Sequence, residues 1–455
     1  MGIVSINPVN GKKIKAYQAH TPQQVADKVT ATHQAWLGWR MSDHATRTTL
    51  LNKMAAVLRK RKTELAELIA DEMGKPLTQG HAEVEKCALC CEYYAENARG
   101  ILADVLIQTE ATKSYTSYQP LGVVLAIMPW NFPFWQVFRF VCPCLAAGNC
   151  GVLKHASNVP GCALAIESIV REAGFPADVF QTLLISGGAV ESVILNPLIK
   201  AATITGSNKA GMQVAQTAGS VVKKVVLELG GSDAYVVLAD ADLEHAAATC
   251  IAARFINSGQ SCIAAKRWIV EASVVDQFTK LVTDRISKFK MGDPHDPDTE
   301  IGPQARKDLR DELHAQVVKS IEKGAKLLLG GKVDPGDHAY YAPTLLTNVK
   351  PGMPAYDEEL FGAVASIIVA KDEADAIRIA NDNQFGLGSA VFTKDVAKGE
   401  RIAKYSLDAG MSYVNAQVES DPRLGFGGVK NSGYGRELSF LGLREFVNAK
   451  TVYIK

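Results

Sequence analysis

Three side chains stand in settings suited to carbonyl chemistry: Cys262, Glu228 and Asn131. Cys262 follows Gly259-Gln260-Ser261, and a loop of small residues can present both its sulfur and its backbone N–H to a bound carbonyl. The commoner fate of a cysteine is a free thiol in the core. Glu228 sits in the apolar run Val225–Leu229, just before Gly230-Gly231. Partial desolvation there raises a carboxyl pKa toward the range of a general base, although strand alternation equally allows a solvent-facing glutamate. Asn131 lies within Pro129-Trp130-Asn131-Phe132-Pro133. Its amide could donate to an oxyanion, while turn chemistry alone also favours asparagine between prolines. Thr205-Gly206-Ser207 precedes a helical pattern, where backbone N–H groups and the helix dipole can hold a phosphate. No G-x-G-x-x-G follows a strand. Cys87, Cys90 and Cys91 share one helical stretch, and Cys142 and Cys144 flank a proline. No further pair has zinc-ligand spacing, so no metal site is expected.

The elements that must position these residues read as two α/β series. The first hundred residues are helical. Thr21-Pro22-Gln23-Gln24 forms a capping box, and one longer helix is expected from His44 to a stop at Gly74 and Pro76. Gln108–Gln119 alternates as an exposed strand. Strand patterns follow at 121–128, 151–154, 180–185, 201–205 and 225–229, with helices between them, such as 162–173. This alternation argues a doubly wound parallel sheet, whose ligands bind beyond the strands' carboxyl ends. A second series starts at Tyr235. The loop Asn257–Cys262 leads into a strand at Trp268–Val270, and Lys450–Lys455 reads as a terminal strand.

Composition excludes several classes. The 455 residues carry 49 Lys+Arg against 48 Asp+Glu, a net charge of +1, which leaves no bulk footprint for nucleic acid or anionic membrane. The amino terminus lacks a signal-peptide pattern, and the apolar stretch 123–153 is too interrupted by polar residues to span a bilayer. Nine cysteines, spread through a large chain, suit reduced thiols in a cytoplasm.

Taken in order, these segments resemble the aldehyde dehydrogenase superfamily over nearly the whole chain. The matching motifs are Pro129–Pro133, Lys154, Thr205-Gly206-Ser207, Glu228–Gly231, Gly259–Cys262, Glu359-Leu360-Phe361-Gly362, Asn383–Leu387 and Phe426–Lys430. The resemblance implies a Rossmann-like cofactor domain over 1–230, with 108–119 contributing to a small β oligomerisation element. It implies an α/β catalytic domain over 231–430 and a terminal segment, 431–455, returning to the cofactor and oligomerisation parts. Cys262 would be the nucleophile, Glu228 the general base and Asn131 an oxyanion donor. NAD or NADP would meet Trp130, Asn131, Lys154, His155, Ala156, Ser157, Gly206, Ser207, Leu229, Glu359 and Phe361. A homodimer or homotetramer acting on a small aldehyde is implied.

Several positions depart from the commonest pattern. His155 stands where many members have proline. Ser157 replaces a glutamate that would repel a 2′-phosphate, so NADP is expected to be accepted as well as NAD. Ala363 and Gly425 replace prolines. The triplet Lys154-His155-Ala156, with Gly230–Asp233 and Ser420–Arg423, is most similar to a bacterial NAD(P)-dependent succinate-semialdehyde dehydrogenase branch. A carboxylate substrate needs a cation, and Arg139 is the first candidate, with Arg423 beside Asp421 the second. Trp135, Phe132 and Phe255 would form apolar walls, which equally suit a neutral aliphatic or aromatic aldehyde. An acyl transfer to coenzyme A and a non-catalytic nucleotide-binding protein are the alternatives from other classes. Glu228 argues against the first, and the joint presence of Cys262, Glu228 and Asn131 against the second.

Overall fold

The computed structural model describes residues 2–455. Two largely parallel sheets carry the two α/β series. The first has six strands, in the spatial order Gly433–Tyr434, Lys224–Glu228, Ile199–Thr205, Val123–Met128, Cys150–His155 and Phe180–Thr182. Only the short Gly433–Tyr434 is antiparallel to its neighbour. Every residue of Val123–Met128 is buried, which explains an unbroken apolar run where a half-exposed strand would alternate. Chain order reverses between Val123–Met128 and its parallel neighbour Ile199–Thr205. The loops leaving their carboxyl ends therefore diverge, and a crevice opens between Pro129–Pro133 and Gly206-Ser207.

The second sheet runs Lys326–Leu329, Thr344–Thr347, Val364–Ala370, Arg267–Glu271, Ala234–Val237, Gly388–Phe392 and Met411–Val414. It is parallel apart from Lys326–Leu329. The Cys262 loop enters this sheet ahead of Arg267–Glu271, at the strand's amino end. The terminal strand is longer than its sequence pattern: Val447–Ile454 pairs antiparallel with Lys113–Pro120. Val105–Leu106 forms the opposite edge of that ribbon. The first five residues of the stretch expected as a strand, 108–112, form a turn instead.

Helix Pro22–Trp39 begins with the expected reciprocal cap between Thr21 and Gln24. The single helix expected from His44 is two, His44–Lys60 and Lys62–Met73, joined at Arg61 with φ −99° and ψ 10°. A bend there lets both apolar faces meet the long helix Leu77–Ile101, which one straight rod would leave. Gly74 closes the second helix at φ +77°, in the left-handed region. Among the described residues no helix is long and apolar enough to cross a membrane.

Candidate active site

The Cys262 loop is held in an unusual backbone conformation. Asn257, Ser258 and Gly259 have φ of 52°, 54° and 76° in succession. A Cβ on Gly259 would lie 2.2 Å from the Gly362 carbonyl oxygen, so only glycine fits. Buried Arg254 stitches the two loops together, donating to the carbonyls of Gly259, Leu360, Gly362 and Val364. Burial lowers its guanidinium pKa to about 9, and Glu359 opposes that shift. Lys266, also buried, donates to the carbonyls of Ser261 at 2.8 Å and Cys262 at 2.7 Å. It also pairs with Glu359 Oε1 at 3.2 Å. The Cys262 N–H itself has no acceptor among the described residues.

Cys262 is half-buried, unlike the other eight cysteines, which are all buried. Burial pushes its thiol up to about 12, against the pull of Arg139 and Lys266. Its sulfur-bearing residue lines two cavities at once. One, of about 360 Å³, is bounded by Trp130, Asn131, Gly206, Ser207, Leu229, Glu359 and Phe361. The other, of about 230 Å³, includes Phe132, Trp135, Arg139, Phe426, Lys86 and Ser420. Gln136 borders both, its buried Oε1 without a partner among the described residues. Asn131 donates one amide hydrogen to Gln260 O at 3.0 Å, which leaves the second for another acceptor. The Asn131 carbonyl accepts from Asn257 at 2.6 Å, tying the two loops.

Glu228 is only 1% exposed, which excludes the solvent-facing alternative. Neither of its oxygens has a hydrogen-bond partner among the described residues, and it borders neither cavity. Its Oε1 lies against Gly427, where an added Cβ would approach to 2.7 Å. Burial and then the neighbouring Glu437 raise its pKa well above the usual carboxyl range, against Arg139 and Arg436. Gly230 and Gly231 bring this strand end against the Cys262 loop. A Cβ on Gly231 would sit 2.7 Å from the Cys262 carbonyl oxygen.

A third cavity, of about 180 Å³, is bounded by Lys154, Gly187, Gly188, Ile194 and the helix Asn208–Ser220 through Gln213 and Thr217. Burial lowers the Lys154 pKa. This cavity and the larger one flank the same helix, whose N-cap is Ser207. The buried Thr205 hydroxyl has no partner among the described residues. An extended dinucleotide fits this arrangement: two recesses, a helix amino end between them, and an unpaired donor beside it.

Other expected contacts fall elsewhere. His155 is buried, with its ring nitrogens 2.9 Å from Pro133 O and 3.1 Å from Met128 O. Burial lowers its pKa to about 4. It braces the Pro129–Pro133 loop from behind, and with Ala156 and Ser157 it borders a separate small recess near Ile3. Arg423 does not line the 230 Å³ cavity: its side chain is 76% exposed and pairs with Asp421 at 2.6 Å. Phe255 packs on Phe289, ring centres 5.2 Å apart, and Phe426 takes the wall position expected of it. Arg139 does line the cavity, over the Phe426 ring at 4.3 Å, yet its Nε pairs with buried Glu437 at 2.8 Å. Lys86, Lys266, Arg254 and Glu437 escaped the sequence reading: Lys86 and Glu437 act through partners distant in the chain, and Lys266 and Arg254 combine such partners with backbone carbonyls four or five residues away that no sequence pattern marks.

The aldehyde dehydrogenase family model matches residues 2–452. The chain belongs to this family. A relative from Synechocystis sp. named "Probable succinate-semialdehyde dehydrogenase [NADP(+)]" is 47% identical, covering 100% of each chain. A Mycobacterium bovis relative named "Succinate-semialdehyde dehydrogenase [NADP(+)] 1" is 45% identical over 100% of each chain. A crystal structure of succinic semialdehyde dehydrogenase from Streptococcus pyogenes in complex with NADP+ superposes with TM-score 0.97, at 36% identity and 99% coverage of each chain. The family membership agrees with the resemblance read from the motifs, and the fold is the expected one.

Proposed function

We propose that the protein oxidises succinate semialdehyde to succinate, using NADP and also accepting NAD. One observation carries the aldehyde chemistry: Cys262 stands at the partition between the two larger cavities, reachable from both. The relatives' names supply the substrate and NADP, and the cations Lys86 and Arg139 in the substrate-side wall support a carboxylate-bearing aldehyde. Trp130, Gly206, Ser207, Leu229, Glu359 and Phe361 would hold the nicotinamide half of the cofactor, and Lys154 the other half. When bound, the dinucleotide supplies the hydride acceptor.

The Cys262 sulfur, as thiolate, adds to the aldehyde carbon. The second Asn131 amide hydrogen and the unused Cys262 N–H receive the oxyanion that forms. After oxidation the acyl group is a thioester on Cys262. Glu228 takes a proton from the water that hydrolyses it, after its side chain rotates out of its seat against Gly427. Among the described residues no hydrogen bond to its carboxylate has to break for that rotation, and leaving the buried seat relieves the desolvation that raises its pKa, so the carboxylate can accept the proton. Both additions pass through the same tetrahedral geometry, so one pair of donors serves twice. We also propose the division at about residues 230 and 430 into cofactor, catalytic and returning segments. Pairing through the ribbon edge, where Val105, Leu106 and Ile107 are exposed, would give a homo-oligomer. A reducing compartment suits its buried free thiols.

Initial rates with NADP and NAD across aldehydes of graded length, with and without a terminal carboxylate, test the reading. The expected result is fastest turnover with succinate semialdehyde and stoichiometric free acid without coenzyme A. Cys262→Ala should abolish reduction of either cofactor. No preference for the carboxylate-bearing aldehyde would refute the substrate assignment. An NAD over NADP ratio of kcat/KM above about 10³ would refute the cofactor assignment.

A further inference from the structure

The amino end of helix Leu77–Ile101 stands against both loops that meet at the candidate active site. Two of its side chains, one turn apart, take backbone N–H groups of those loops. Gln79 Oε1 accepts from the Asn257 N–H at 2.7 Å, in the Cys262 loop. Glu83 Oε1 accepts from the N–H groups of Phe134 and Trp135, each at 2.9 Å. Those two amides open helix Trp135–Ala146, which is buried along its whole length and has no side-chain cap from its own Phe134. Water does not reach such amides, and one left without an acceptor would cost its full desolvation penalty. The Glu83 carboxylate meets both, and its charge suits the positive end of the helix.

Glu83 is itself buried, and its other oxygen pairs with the buried ammonium of Lys75. That ammonium also lies over the Phe132 ring, 3.8 Å from its centre. The turn that carries Lys75 is fixed by Gly74, where an added Cβ would lie 2.6 Å from Pro303 Cγ. A buried ion pair is a weak device for stability, since an apolar pair of similar volume does as well or better. Direction is what this pair contributes. Only Phe132 and Pro133 separate Asn131 from the first of the gripped amides. Proline has a fixed φ, and the Pro133 carbonyl is held by His155 Nε2 at 2.9 Å. A shift at Phe134 therefore passes to Asn131 with little slack.

We propose that Glu83, with Lys75 as its counterion, is a positioning residue for the oxyanion site: its grip on the Phe134 and Trp135 amides sets where the Asn131 side-chain amide lies relative to Cys262. Lys75 neutralises the carboxylate and steadies Phe132. Gln79 registers the Cys262 loop on the same helix, so one rigid element aligns both loops. Both Glu83 oxygens are occupied by these contacts, so it acts through Asn131 and not on the substrate. The inference rests on the proposed reading of Asn131 as an oxyanion donor.

Two neutral pairs test it, assayed with the aldehyde and cofactor that the wild type uses best. Lys75→Met with Glu83→Gln keeps a carbonyl oxygen for the two amides, whereas Lys75→Met with Glu83→Leu removes it; neither leaves a buried charge unpaired. The kcat of the leucine pair should lie about 10- to 100-fold below that of the glutamine pair, less than deleting an oxyanion donor outright. KM should differ by less than about threefold, because the aimed contact strengthens only as the oxyanion forms. Adding Asn131→Ala to each pair should erase the kcat difference, since the group being aimed is gone. A role in stability alone would lower the unfolding midpoint of the leucine pair and leave the two kcat values equal, and that result overturns the inference. A kcat difference that persists in full after Asn131→Ala overturns it as well. Should the neutral pairs not fold, Glu83→Asp, which draws the carboxylate back by one methylene, gives the same contrast against wild type: kcat lower by about 10-fold, KM held, and no further loss once Asn131→Ala is present. An unaltered kcat in Asn131→Ala alone overturns the oxyanion reading itself.

Discussion

Replacing Lys266 by methionine tests how the proposed nucleophile, Cys262, is aimed. The Lys266 ammonium donates to Ser261 O and Cys262 O and pairs with Glu359. Ser261 C=O and Cys262 N–H belong to one planar peptide unit, so fixing that carbonyl also fixes the direction of the N–H. Methionine keeps the stem length but removes all three contacts. Hydrogen bonds to charged groups contribute about 1.5–3 kcal/mol each and do not add fully, so a stability loss of about 3 kcal/mol is expected. A deleted oxyanion donor lowers kcat by about 10²–10³. A misaimed donor should lose less, about 10- to 100-fold. Electrostatics act in the same direction. Lys266 pulls the Cys262 thiol pKa down while Glu359 raises it. Without the ammonium both changes push the thiol higher, and the rising limb of the pH–rate profile should move to more alkaline pH. Initial rates from pH 6 to 10, alongside thermal unfolding, separate aiming from stability. A variant within twofold of wild type in kcat/KM, with an unmoved limb, would show that the Cys262 peptide is oriented by something else.

The His155→Phe and Arg139→Met variants probe buried support. His155 has a folded pKa of about 4, below the unfolded value near 6.5, so its contribution is fully present above 6.5 and declines as pH falls toward 4. Between pH 6.5 and 5 that amounts to about 2 kcal/mol, and His155→Phe should flatten this part of the unfolding free energy measured against denaturant. The same variant should lower kcat, since Pro133 O loses its partner and the Asn131 loop loosens; an unchanged pH slope would contradict the neutral buried imidazole. Arg139→Met leaves buried Glu437 without its cation, and a loss of about 3–5 kcal/mol is expected by chemical denaturation near neutral pH. Part of that loss should be recovered at lower pH, where Glu437 takes up a proton; equal losses at both pH values would contradict this.

The sequence by itself determined the chemistry and most of the scaffold. Cys262, Glu228 and Asn131 stood out as candidates because each departs from what its local pattern needs: a thiol among small loop residues, an acid in an apolar strand, an amide between prolines. Strand and helix periodicities gave both α/β series for the same reason, since burial on one or two faces leaves its mark residue by residue. What tertiary structure alone decided is which charges are spent on one another. Arg139 reads as a free cation until Glu437, nearly three hundred residues later, comes to lie beside it. Arg423 reads as a pocket residue until its exposed pairing with Asp421 is seen, and His155 as a cofactor contact until its burial behind Pro133. Lys86 and Lys266 carry no local signal at all. Charge, unlike hydrophobic burial, is settled by pairwise contacts whose partners the chain order does not reveal, so their roles emerge only when the two sheets meet around Cys262.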